Sequence, residues 1–141
     1  RMAGQMTVTA KKHITTCLRL VIAAIFIAAG ILKVIDPEKF LLDIIAYRIV
    51  GFHIAAVTSA YLPCLEIICG LALLLNRKTK GPAIVILLLT AVFMVALASA
   101  WFRGLDISCG CFGSFSDVTN YPCLLIRNSF IAMSAAFLVV Y

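Results

Sequence analysis

Four apolar runs, each about the length of a bilayer crossing, constrain this chain more than any other feature. Ile14 to Ile35, Phe52 to Leu75, Pro82 to Trp101 and Pro122 to Tyr141 each hold roughly 20 residues with few charges, enough to cross a ~30 Å hydrocarbon core as a helix. A soluble domain of 141 residues does not carry 64% hydrophobic and only 13% charged side chains. The chain therefore reads as an all-α membrane protein: a single four-helix transmembrane domain over residues 1–141. Arg1 stands before Met2 and Met6, so the natural start is expected at one of these methionines. No small-residue cleavage site follows the first run, so no removable leader is expected.

The connections are short and differ in character. Asp36-Pro37-Glu38-Lys39 breaks the first helix and puts Pro37 at the first position of the next. Phe40, Leu41, Ile44, Ile45 and Ile49 then recur at helical spacing, interrupted by Asp43 and Arg48. This pattern predicts a short amphipathic interfacial helix over 40–50 between spans one and two, ended by Gly51. Asn76 to Gly81 is a tight basic loop, and residues 102–121 form the longest polar stretch.

Basic residues orient the bundle. The amino-terminal side carries Arg1, Lys11, Lys12 and Arg19, and the loop after span two carries Arg77, Lys78 and Lys80, with no acid in either. Elsewhere Lys33, Lys39 and Arg48 are balanced by Asp36, Glu38 and Asp43, and Arg103 and Arg127 by Asp106 and Asp117. Excess Lys and Arg marks the cytoplasmic side, so both termini are expected inside and the 102–121 loop outside. The formal net charge of +6 is accounted for by this topology, and a nucleic-acid partner is not expected.

The outer loop holds Ser108-Cys109-Gly110-Cys111-Phe112-Gly113. Two thiols one residue apart close only a small, strained ring. Strained and accessible disulfides are the oxidising, labile ones, suited to exchange rather than to bracing. Gly110 gives the backbone the freedom that closure needs. The pair is read as a redox centre in the oxidising compartment. A purely structural disulfide and a soft-metal site with Cys123 remain as alternatives; the absence of a nearby histidine weighs against the metal.

Of the six cysteines, Cys123 at the outer start of span four and Cys64 after Pro63 in span two are candidate relay or resolving thiols. Cys69 reads as a small apolar packing residue, and Cys17, near the cytoplasmic face, as inert. Glu66 is the one acid within an apolar run. An intramembrane carboxylate faces a bundle interior or cavity and is paired or protonated, and Lys33 and Arg127 are its expected partners. Its readings are a structural tie between helices, a proton relay for thiol oxidation, or part of a quinone pocket. Trp101 and Phe112, with Phe115 and Tyr121, are candidates to flank an apolar ring, although interfacial aromatics commonly serve as anchors.

Several of these stretches together resemble one family. Gly30-Ile31-Leu32-Lys33 with Asp36-Pro37 and Phe40, Leu62-Pro63-Cys64-Leu65-Glu66 with Gly70-Leu71, Cys109-Gly110-Cys111-Phe112-Gly113, and Arg127-Asn128 are similar to the DoxX/MauE group of bacterial redox-associated membrane proteins. The Cys-Gly-Cys-Phe-Gly stretch points to the MauE-like branch. The resemblance implies a four-helix bundle in the bacterial inner membrane, associated with extracytoplasmic thiol chemistry. MauE is linked to maturation of a disulfide-rich dehydrogenase subunit, and DoxX relatives to thiosulfate oxidation with quinone.

The function expected from residues and resemblance together is a membrane thiol–disulfide oxidoreductase. Its partner is expected to be an extracytoplasmic thioredoxin-fold or disulfide-containing protein, with quinone as the candidate cofactor. The rival readings are a non-enzymatic assembly factor or scaffold, and a small carrier using Glu66 and Lys33.

Overall fold

The computed structural model describes residues 2–76, 78–105 and 120–141. Five helices follow one another: α1 (Met2–Ile35), α2 (Pro37–Ala46), α3 (Phe52–Leu74), α4 (Lys80–Phe102) and α5 (Tyr121–Val140). No strand occurs among the described residues. Four of the helices, all but α2, are long and apolar enough to cross a membrane. The short helix falls where the sequence places one, between spans one and two.

The helix ends follow local chemistry. At 34 residues, α1 is the longest, and at 1.5 Å per residue it is about 50 Å long, well beyond a ~30 Å hydrocarbon core. It begins twelve residues before the expected Ile14, because the basic segment of Met, Ala, Gln and Lys is itself helix-forming. Asp36 caps α2 by accepting the Lys39 backbone N–H at 3.1 Å, with Pro37 at the first helical position. The short helix thus starts at the proline, as the breaking Asp36-Pro37 pair predicts, and stops at Ala46, before the Val50 end expected from its apolar spacing. Arg48 leaves helical geometry at φ 51, and Gly51 becomes the extended residue that starts α3 rather than the stop of α2. Gly104, at φ +63, ends α4: its N–H reaches the Trp101 carbonyl at 3.0 Å, and the Leu105 N–H reaches that of Ala100 at 3.1 Å.

α1 packs chiefly on α3, α4 on α5, and α2 on α3. Lipid tails are as apolar as leucine, so burial alone does not hold such helices together, and close packing must do so. Two glycines allow the α1–α3 approach. A Cβ at Gly30 would lie 3.0 Å from the Pro63 carbonyl oxygen, and one at Gly70 would lie 3.1 Å from the Ala23 carbonyl oxygen. Below this crossing lies a dry layer that includes Ile22, Ala23, Leu73, Ile86 and Ala135. Lys11 lies 3.7 Å above the Tyr141 ring, so the first turns of α1 and the end of α5 share one end of the bundle.

The opposite end is tied by polar and aromatic contacts. Arg103 donates to the carbonyls of Tyr47 at 3.1 Å and Arg48 at 3.4 Å, fastening the end of α2 to the end of α4. The Tyr121 hydroxyl donates to the Leu105 carbonyl. Trp101 stacks on Tyr121 with ring centroids 6.1 Å apart. Tyr47, Leu97 and Ala100 form a second buried layer here.

Candidate functional site

Between the two layers lies a cavity of about 400 Å³, to which every helix contributes. That volume lies within the range of small-molecule sites. Its walls are mostly apolar, and its polar lining includes an ion pair between α1 and α3.

The pair begins with Glu66. On α3 the buried residues Pro63, Glu66, Cys69, Gly70 and Leu73 recur at helical spacing, so the carboxylate lies on the face that meets α1. Lys33, in the last turn of α1, meets it there: Nζ lies 2.6 Å from Oε1, with the two side chains 6% and 10% exposed. A lysine at that end also favours the α1 dipole. Lys33 Nζ further sits 4.8 Å above the Phe40 ring of α2, so the same ammonium ties three helices together. The close approach at Gly30 and Gly70 is what brings the lysine and the acid within reach.

Three more polar side chains are buried around the cavity. Asp43 of α2 is 8% exposed, Asn128 of α5 is 5% exposed, and Thr90 of α4 is 5% exposed with its hydroxyl donating to the Ile86 carbonyl. Arg127 lines the same space. The formal charges of Lys33 and Arg127 balance those of Asp43 and Glu66. Among the buried atoms without a hydrogen-bond partner in the described residues are two on this lining, Glu66 Oε2, an acceptor, and Asn128 Nδ2, a donor.

Of the residues expected from the sequence, Glu66, Lys33 and Arg127 meet at this cavity. Trp101 stacks on Tyr121 and does not line it. Cys64 is exposed on the outer face of α3, its thiol turned to the Ala60 carbonyl at 3.7 Å. Cys123 is exposed near the start of α5, Cys69 is buried, and Cys17 is exposed; all four are free thiols. Cys109, Cys111 and Phe112, with Phe115, lie outside the described residues. No group of three metal-ligating side chains occurs among the described residues.

Asp43 and Asn128 were not foreseen as site residues, yet both carried a signal. Asp43 stands three residues after Phe40 and four before Tyr47, on the apolar stripe of α2 and not opposite it. Asn128 opens the buried series Asn128, Ile131, Ser134, Ala135 and Leu138 of α5.

The arrangement is a four-span membrane bundle with a buried Lys33–Glu66 ion pair on a largely apolar cavity that Asp43, Arg127 and Asn128 also line. The family described as "Methylamine utilisation protein MauE" matches residues 11–141, nearly the whole chain. The chain belongs to the MauE family. No curated protein and no solved structure matches it.

Proposed function

We propose that this MauE-family protein is a membrane thiol–disulfide oxidoreductase that works through Cys109 and Cys111. The observation that carries the reading is the Cys-Gly-Cys pair in a connection whose two ends are fastened at one rim of the bundle. Leu105 accepts the Tyr121 hydroxyl, and Trp101 stacks on Tyr121. The rim is the end opposite Lys11 and Tyr141. With the basic residues inside, the pair faces out of the bacterial inner membrane and both termini face the cytoplasm.

The exchange is a two-electron transfer. One thiolate of an extracytoplasmic dithiol protein, of thioredoxin fold or rich in disulfides, attacks one sulfur of the Cys109–Cys111 disulfide. A mixed disulfide forms and the other cysteine leaves as thiolate. The partner's second thiolate then attacks the mixed disulfide, so the partner departs oxidised and both cysteines are left reduced. The pair is reoxidised by a membrane-soluble two-electron acceptor of the quinone class, which takes up two electrons and two protons. Where transfer is not direct, the acceptor takes two electrons and two protons as one cysteine of the pair joins Cys64 or Cys123 in a disulfide, and the other cysteine then displaces that thiol to restore the Cys109–Cys111 bond.

Trapping tests the reading. Cys109→Ser and Cys111→Ser, expressed separately, each leave one thiol of the pair, and at least one variant should hold a partner as a mixed disulfide identified by mass spectrometry. Complex formation that survives both substitutions without any disulfide-linked species would instead mark a non-enzymatic assembly scaffold.

A further inference from the structure

We infer that the cavity between the helices is a binding site for a hydroxylated aromatic compound of the hydrocarbon phase, of the phenol or hydroquinone class. The inference deepens the proposed function and rests on it in one respect, since the reduced form of its quinone-class acceptor belongs to this chemistry; the site itself is argued from the cavity and not from the cysteines.

Two atoms set the requirement. Glu66 and Asn128 are 7% and 5% exposed and both line the cavity, yet Glu66 Oε2 and Asn128 Nδ2 have no hydrogen-bond partner among the described residues. Buried polar atoms are rarely left so, least of all within a membrane. Oε2 needs a donor and Nδ2 needs an acceptor. A hydroxyl group offers both, and a ring carrying two hydroxyls offers them at two points.

Water fits the space poorly. About 400 Å³ is many times a single water's share of roughly 30 Å³, and the lining is chiefly apolar. A lipid acyl chain would fill the apolar part but would leave both polar atoms desolvated and unmatched. The body that fits is apolar and ring-shaped. Phe26, Phe40, Tyr47 and Phe93 line the walls, with Tyr47 and Phe93 packed edge to face at 6.2 Å between centroids. The charged groups around the cavity balance, so a neutral ligand is favoured over an ionic one. α2 closes the outer side through Phe40, Asp43, Ile44 and Tyr47, held down by Arg103.

The test is direct binding to the full chain in nanodiscs, with trimethylhydroquinone as probe and its dimethyl ether as comparison. The two share one ring body, but the ether has no O–H to give Oε2. The hydroquinone should bind saturably, and the ether about tenfold more weakly, the loss of one hydrogen bond to a charged group. Asn128→Leu should weaken the hydroquinone by a similar factor, and Ala29→Phe, which fills the cavity, should abolish binding. Equal binding of hydroquinone and ether to the unaltered protein would overturn the inference and mark an acyl-chain crevice, whether or not any variant folds. The Cys109→Ser, Cys111→Ser double variant should lose thiol exchange and retain binding, so failure of either proposal is distinguishable from failure of the other.

Discussion

Replacing Lys33 by methionine removes the cation from the most buried ion pair described. Nζ and Oε1 are 2.6 Å apart, and at an effective dielectric of about 20 their attraction is roughly 6 kcal/mol. Desolvating the two ions offsets most of that, so the intact pair contributes little net stability against apolar residues of similar size. Losing one partner is different. Glu66 Oε2 already has no hydrogen-bond partner, so Lys33→Met leaves both carboxylate oxygens unmatched. A loss of about 3–5 kcal/mol is expected, and Glu66→Met in addition should restore stability to within about 1 kcal/mol of the unaltered protein. The assay is reversible unfolding in mixed micelles, titrated with dodecyl sulfate and followed by far-ultraviolet circular dichroism. The cycle should give a coupling of several kcal/mol. An ordinary interhelical hydrogen bond in a membrane averages about 0.6 kcal/mol. A single-variant loss near that value, or a double variant no better than the sum of the singles, would refute the reasoning.

Two further outcomes follow from packing. Gly70→Leu should separate α1 from α3 and lower the unfolding midpoint in the same titration, because backbone atoms at 3.1 and 3.2 Å stand where its Cβ must go; Gly51→Ala, with nothing within 4 Å, should leave the midpoint unchanged. Arg103→Ala removes the bonds to the Tyr47 and Arg48 carbonyls. It should raise amide exchange in α2 several-fold, as read by mass spectrometry, without changing exchange in the α1–α3 crossing.

The spans were legible because hydropathy over twenty residues dominates every local preference. The Lys33–Glu66 pair was legible because an isolated acid in an apolar run must find a cation, and few cations lie within reach. The amino-terminal extension of α1 was not, since a short polar segment beside an apolar run reads equally well as coil or helix. Asp43 reads from the sequence as an interruption of the apolar spacing, although its distance along the chain from Phe40 and Tyr47 puts it on the buried face. The unmatched atom of Asn128 depends on how α5 meets α4 and α1, a tertiary fact that no window of sequence carries.

The central claim concerns two sulfurs, and their oxidation state in the living cell tests it most directly. Intact cells are treated with a membrane-impermeant maleimide, and labelling of Cys109 and Cys111 is read by mass shift before and after a brief pulse of an impermeant phosphine. The account expects no label at rest, label on both residues after the pulse, and renewed protection once the reductant is washed out. Labelling of both residues without any reductant, or only after the membrane is opened, would contradict it.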